Sequence, residues 1–288
     1  MSENLFFYNS SNGAGAVASV NGNSLGTVVD HQPGSIPSGA NIVAGYSKSS
    51  KLLLLYNRAS RSATFGHVES QTFGSGISAD VYVTDKKFPP NSFNSWTNIC
   101  WTLVSKKPLF YDRESGSGEE GFDPPIKVFP PGSFDTGWTD IVFVVWTGIE
   151  FFYNRDNGAA CVGFDPPTKL HAPGSFATGW TAIDAGPPTT LPGGGAGNHA
   201  QLLFYNSNKR SGALATLGFN GDVNTIRTWG QNAFDFWTHV VGFGGGWLFY
   251  DGFSGKAVIG TLTADNSLTS TPVNLSAGWT HITRVGRP

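Results

Sequence analysis

One short phrase recurs six times along the chain. Its copies are Leu5-Phe6-Phe7-Tyr8-Asn9, Leu53-Leu54-Leu55-Tyr56-Asn57, Pro108-Leu109-Phe110-Tyr111-Asp112, Phe151-Phe152-Tyr153-Asn154, Leu203-Phe204-Tyr205-Asn206 and Leu248-Phe249-Tyr250-Asp251. The tyrosines follow one another at 48, 55, 42, 52 and 45 residues, a period expected of architectures with one supersecondary unit per repeat. A second phrase keeps the same period with different residues: an aromatic anchor, Thr, one variable residue and an aliphatic. It reads Trp96-Thr97-Asn98-Ile99, Trp138-Thr139-Asp140-Ile141, Trp180-Thr181-Ala182-Ile183, Trp237-Thr238-His239-Val240 and Trp279-Thr280-His281-Ile282. The first unit has Gly39-Ala40-Asn41-Ile42, with Asn41 read as the counterpart of the variable residue. Units three and four are near copies, 121–141 against 163–183, as a duplication would leave them.

Such a unit has to be made of strands. No stretch of several helical turns keeps an apolar stripe free of Gly or Pro, and 38 Gly, 17 Pro and 14% aromatic residues suit short strands joined by tight turns. In unit three the pattern predicts strands over 138–145, 150–153, 159–163 and 169–171, with Asn154 to Gly158 as a turn. The chain starts on a Tyr strand and ends on a Trp strand, 279–285, so neither end completes a unit alone. The expected fold is all-β: one domain over 1–288, a six-bladed β-propeller of four-stranded blades, closed by pairing the N-terminal and C-terminal strands in one blade. The glycine-rich stretches 186–200 and 242–246 are read as lengthened turns between a Trp strand and a Tyr strand. Neither supplies a Gly-x-Gly-x-x-Gly between a strand and a helix, so a phosphate loop is not indicated.

A formal charge of −2 with 13% charged residues provides no broad basic face, which argues against nucleic acid as a partner. Met1-Ser2-Glu3 runs straight into the first repeat without a signal segment, and no apolar run approaches the length of a spanning helix. The expectation is therefore a cytoplasmic protein without membrane insertion, with non-classical release and oligomerisation left open. In that compartment Cys100 and Cys161 read as free buried thiols. No cofactor and no metal is called for: His239 and His281 lack further ligands at coordinating spacing.

The Gly-Trp-Thr-x-Ile strand and the Leu-Phe-Tyr-Asn/Asp strand with its following turn resemble propeller lectins of the tachylectin and tectonin groups and fungal relatives with integrin-like repeats. The resemblance spans nearly the whole chain. It implies shallow sugar sites repeated between blades, with glycans or glycoconjugates as partners. The calcium loop of the integrin-like relatives, Asp-x-Asp-x-Asp-Gly, is absent from this sequence, so no calcium role carries over.

Within the repeats, the anchors Trp96, Trp138, Trp180, Trp237 and Trp279 read either as core wedges or as rings that stack on a sugar face. Strand alternation puts the residue two after each Trp on the same face, which nominates Asn98, Asp140, His239 and His281 as hydroxyl-binding partners. Ala182 marks a weakened copy. The six tyrosines read as structural. The leading functional reading is a multivalent lectin, for which a defence role would fit, with a protein-interaction scaffold as the alternative. A propeller glycosidase is a weaker alternative, since Ser133-Phe134-Asp135-Thr136-Gly137-Trp138-Thr139 only approaches an Asp box and no nucleophile motif appears. The expectation is that the chain is not an enzyme and has no catalytic residues.

Overall fold

The computed structural model describes residues 3–46, 51–72, 78–102, 105–189 and 199–286. Twenty-four strands are numbered along the chain, and they form six four-stranded sheets. The first blade is ordered β24 (His281–Val285), β1 (Glu3–Asn9), β2 (Ala14–Asn21), β3 (Ser24–His31). The second is β4 (Ile42–Gly45), β5 (Leu52–Asn57), β6 (Ser62–Thr72), β7 (Ser78–Phe88), and the third is β8 (Asn98–Trp101), β9 (Pro108–Asp112), β10 (Ser117–Glu120), β11 (Lys127–Phe129). The fourth is β12 (Asp140–Val144), β13 (Ile149–Tyr153), β14 (Ala160–Val162), β15 (Lys169–His171). The fifth runs β16 (Ala182–Thr189), β17 (His199–Asn206), β18 (Ser211–Gly218), β19 (Val223–Trp229), and the sixth β20 (His239–Phe243), β21 (Gly246–Tyr250), β22 (Lys256–Leu262), β23 (Leu268–Asn274). The fold class is a six-bladed, all-β propeller. Its two incomplete ends meet as expected, with β24 antiparallel to β1 in the register Phe7↔Ile282 and Tyr8↔His281.

The chain divides into two compact units, residues 1–96 with 243–261 and 268–288, and residues 97–242 with 262–267. In the first, Phe6, Tyr8, Val17, Leu53, Leu55, Tyr82 and Val285 form a cluster between the first two blades. In the second, Val142, Val144, Phe151 and Val162 of the fourth blade pack on Ile183, Ala185, Leu202 and Phe204 of the fifth. The opposite face of the fourth blade carries Phe152 and Cys161, which pack on Cys100, Leu109 and Tyr111 of the third. Alternation along each strand thus supplies both faces of a blade with apolar side chains. Both cysteines are free and buried.

Four of the six turns after a Tyr strand place Gly at positive φ, and the other two place Arg61 and Arg210 there. Gly158 has φ +70°, and a Cβ there would lie 2.1 Å from the carbonyl oxygen of Phe176, so backbone sterics alone demand glycine. Two turn expectations fail locally, the first at 242–246, where only 244–245 is a turn and the rest is strand in β20 and β21. In the second, residues 186–189 and 199–200 are strand rather than turn: β16 and β17 pair through Pro188↔Ala200, past a bulge between Ala185 and Pro188. β16 is the edge strand of its sheet, where a proline costs no ladder bond. Residues 190–198, with Gly193-Gly194-Gly195, lie outside the described residues, as do Met1 and Ser2.

Candidate functional site

The two repeated phrases interlock through hydrogen bonds. Each Tyr hydroxyl donates to a carbonyl of the segment that leads into the next unit: Tyr8 to Pro37 (2.7 Å), Tyr56 to Asn94 (2.5 Å), Tyr111 to Asp135 (2.8 Å), Tyr153 to Ala177 (2.7 Å), Tyr205 to Asp235 (3.0 Å) and Tyr250 to Ser276 (2.9 Å). The same oxygen accepts the backbone N–H of the anchor, as Tyr111 does from Trp138 at 3.3 Å and Tyr250 from Trp279 at 3.1 Å. Burial pushes the hydroxyls of Tyr111 and Tyr153 up to about 12, so both stay protonated donors. The Thr of the second phrase is bivalent too. Thr139 Oγ1 donates to Tyr153 O (3.1 Å) and accepts from Arg155 N (3.0 Å), and Thr97, Thr181 and Thr280 repeat the pattern.

That pattern corrects the reading of the first unit. Asn41 N–H donates to Tyr56 O at 2.9 Å and its Oδ1 accepts from Arg58 N at 3.0 Å, which is the role of Thr. The counterpart of the variable residue is Ile42, opposite Tyr56 as Asp140 is opposite Tyr153.

The anchors and their variable neighbours do not share a face. Ile141 pairs with Phe152, Phe152 with Cys161 and Cys161 with Leu170, and Trp138 packs on this row, its ring 6.2 Å from that of Phe152. Asp140 belongs to the alternate row with Val142, facing the fifth blade. The cause is local: β12 begins at Asp140, and Trp138 lies in the preceding connection, where pleat alternation does not apply. Trp96, Trp138 and Trp237 are buried, whereas Trp180 and Trp279 are half-buried, their rings against Phe204 and Phe7.

The variable residues bond within the fold. Asn98 Nδ2 donates to Thr139 O at 3.0 Å, Asp140 accepts from Arg155 Nη2 (3.2 Å) and shares the single Thr139 hydroxyl proton with Tyr153 O (2.7 Å to Oγ1), and His239 and His281 each share a hydrogen bond with the Thr before them. Burial raises the Asp140 carboxyl above its ordinary value in spite of Arg155.

Open space lies beside two anchors, in clefts that share the anchor and the outer-strand position of their blades. In the first blade a cleft of about 250 Å³ is bordered by Trp279, Asn9, Asn12, Asp30, Gln32 and the backbone segment Ser276-Ala277. Phe7 pairs with Ala16 and Ala16 with Asp30, so the carboxylate of Asp30 stands on the face that carries Trp279. Asn9 Oδ1 accepts from Ser11 N and Asn12 Oδ1 from Ala14 N, which orients both amides by turn geometry. His31 borders the cleft, but alternation puts its side chain on the opposite face. There Nε2 accepts the Tyr82 N–H at 3.1 Å, which fixes the neutral Nδ1–H tautomer, and burial lowers its pKa accordingly.

In the fourth blade the corresponding cleft, about 180 Å³, is lined by Trp138, Phe134, Phe152, Phe164, Cys161 and Leu170 among others. Leu170 stands where the first blade has Asp30, and Cys161 where it has Ala16. The Cys161 thiol donates to Gly163 O, and burial pushes it up to about 12, so it is a neutral wall rather than a nucleophile.

The sequence reading missed Asp30 and Gln32, which lie at and just beyond the end of an outer strand, and Asn12, a turn residue that the fourth blade repeats as Asn157. It also missed Glu150, a buried carboxyl on the row of Phe152, pushed up to about 7 by burial and, secondarily, by the charge of Glu120. Among the described residues no group of three or more His, Cys, Asp or Glu side chains is placed to hold a metal.

The chain matches no protein-family profile and no curated protein sequence. Its fold is shared by solved structures across nearly their full length. A structure of the nidogen/laminin complex matches with TM-score 0.57 at 13% identity, over 98% of both chains. A periplasmic gluconolactonase of Pseudomonas aeruginosa matches with TM-score 0.54 at 10% identity over 100% of both. A putative 6-phosphogluconolactonase of Bacteroides fragilis matches with TM-score 0.55 at 10% identity, over 99% of this chain and 98% of that one. These similarities define the class, a six-bladed propeller, and do not single out the lectins. They also overturn the expectation that the chain is not an enzyme: the fold it shares is one that carries enzymes, and the absence of a local catalytic motif does not separate it from them.

Proposed function

We propose that this propeller binds carbohydrate and that the cleft beside Trp279 is a site for a neutral, hydroxyl-rich ring. One observation carries the reading: a half-buried Trp ring and four polar side chains, Asn9, Asn12, Asp30 and Gln32, border one open cleft. An indole offers an apolar surface to the C–H face of a pyranose, while amides and a carboxylate supply the donors and acceptors that hydroxyl groups need. The cleft lies between the first blade and the segment entering it, whereas the lectin resemblance implies sites between adjacent blades. The fourth blade repeats the two amides as Asn154 and Asn157 but has Leu170 in place of Asp30, so the proposal is made for this cleft, with glycans or glycoconjugates as partners.

A glycan array followed by isothermal titration tests the proposal. The expected outcome is a sugar bound with a dissociation constant on the order of 1 mM or tighter, weakened at least about 10-fold by Trp279→Ala. No bound sugar, or binding that survives Trp279→Ala, would sink it.

A further inference from the structure

The cleft beside Trp138 differs from a packing defect in three respects. It is walled by neighbouring aromatic rings: Phe134 stacks 6.3 Å from Phe152 at an interplanar angle of 24° and lies tilted 6.2 Å from Phe164. Its back wall is a neutral thiol, Cys161, whose hydrogen bond is already made to Gly163 O. Its mouth carries Leu170, 61% exposed on the outer strand β15. An exposed leucine there contributes little to folding, yet the duplicated unit also keeps an aliphatic at the matching place, Val128, 60% exposed. The duplicate has Glu119 in place of Cys161, so the wholly apolar back wall belongs to the fourth blade.

Size then selects the occupant. A cavity of about 180 Å³ is larger than the roughly 150 Å³ apolar cavity that holds a benzene molecule, and so has room for one or two fused rings. The inner wall of Phe134, Phe152, Phe164 and Cys161 is apolar, with Ser133 and Asp135 exposed, so water against that wall is poorly bonded and readily displaced by an apolar ring. A sugar is a poorer occupant, because the polar side chains lining the cleft besides the thiol, Ser133 and Asp135, are exposed, and hydroxyls turned toward the Phe wall would lose water without gaining partners.

We propose that the Trp138 cleft is a second binding site, chemically distinct from the Trp279 cleft, for a small neutral aromatic ligand of one or two fused rings. The ring enters past Leu170 and lies against Phe134, Phe152 and Phe164, with Cys161 behind it.

Fluorine NMR titration of the full chain with 5-fluoroindole tests this directly. The expected result is a saturable shift with a dissociation constant on the order of 1 mM or below. Leu170→Asp, at an exposed position, is expected to weaken binding at least about 10-fold without changing Tm by more than about 2 °C. Phe164→Leu, which keeps the wall apolar but removes a ring, is expected to weaken it about 3- to 10-fold. Trp279→Ala should leave 5-fluoroindole binding unchanged, which separates this site from the carbohydrate proposal. Three results would overturn the inference: no saturation up to the solubility limit, equal affinity in Leu170→Asp, or conversion of a dimer to a monomer by Leu170→Asp, which would make the cleft an interface between copies.

Discussion

The Trp279 and Trp138 clefts share an anchor and an outer-strand position in two blades, and they differ in the rest of their lining. In both, a tyrosine hydroxyl holds the anchor N–H, and the indole rests on the Phe of the neighbouring strand, Phe7 or Phe152. What differs is the side chain that the outer strand adds to the row, Asp30 in one and Leu170 in the other, and the depth of the indole, half-buried against buried. The contrast reverses at the far end of the same strands. Three residues before the tyrosine, the fourth blade buries Glu150 where the first buries Leu5. The repeated phrases therefore build the blade, and in the two proposed sites the chemistry differs at residues that do not repeat.

The largest expected effect comes from the more deeply buried anchor. Trp138→Ala should destabilise the protein by about 3–5 kcal/mol, because it opens a void among Phe152, Tyr111 and Cys161, whereas Trp279→Ala should cost less and act on ligand binding. Paired denaturant melts measure the difference, and equal losses would break the comparison.

Glu150 is next. Its folded-state pKa is raised, so in the folded protein it holds a proton over a window where the unfolded chain has released it. Stability contributed by the protonated form is present at pH 5 and lost as pH rises through about 7. Glu150→Gln should remove that slope and stabilise the protein at pH 8 by about 3 kcal/mol relative to the parent, with little change at pH 5. Thermal melts from pH 5 to 8 measure it, and a slope that persists in Glu150→Gln would assign it elsewhere.

A smaller loss, about 1–3 kcal/mol, is expected of Tyr111→Phe, which leaves the Asp135 carbonyl and the Trp138 N–H without their shared partner. Tyr250→Phe makes the same test beside Trp279, where it should also loosen the indole and weaken sugar binding.

The architecture was legible because its builders repeat. Tyr and Trp phrases at one period marked the inner strands, the four strands of unit three fall within two residues of their expected ends, and the incomplete termini foretold the β24–β1 pairing. The site was less legible for equally physical reasons. Trp138 precedes its strand, so alternation assigned Asp140 to the wrong face, and the variable residues Asn98, Asp140, His239 and His281 make bonds within the fold that no pattern of residue types reveals. Asn41 stood in for Thr through an equivalent oxygen, visible only as hydrogen bonds. Asp30 and Leu170 belong to outer strands whose sequences share no phrase, and only the register Ala16↔Asp30 and Cys161↔Leu170 makes them counterparts.

The central claim is that the outer-strand side chain, not the repeated Trp, sets the ligand chemistry of a cleft. Isothermal titration of Asp30→Leu with a sugar that binds the parent protein tests it most directly. The expected result is an affinity at least about 10-fold weaker with stability within about 0.5 kcal/mol of the parent, since Asp30 is exposed. Unchanged affinity in Asp30→Leu would contradict the claim.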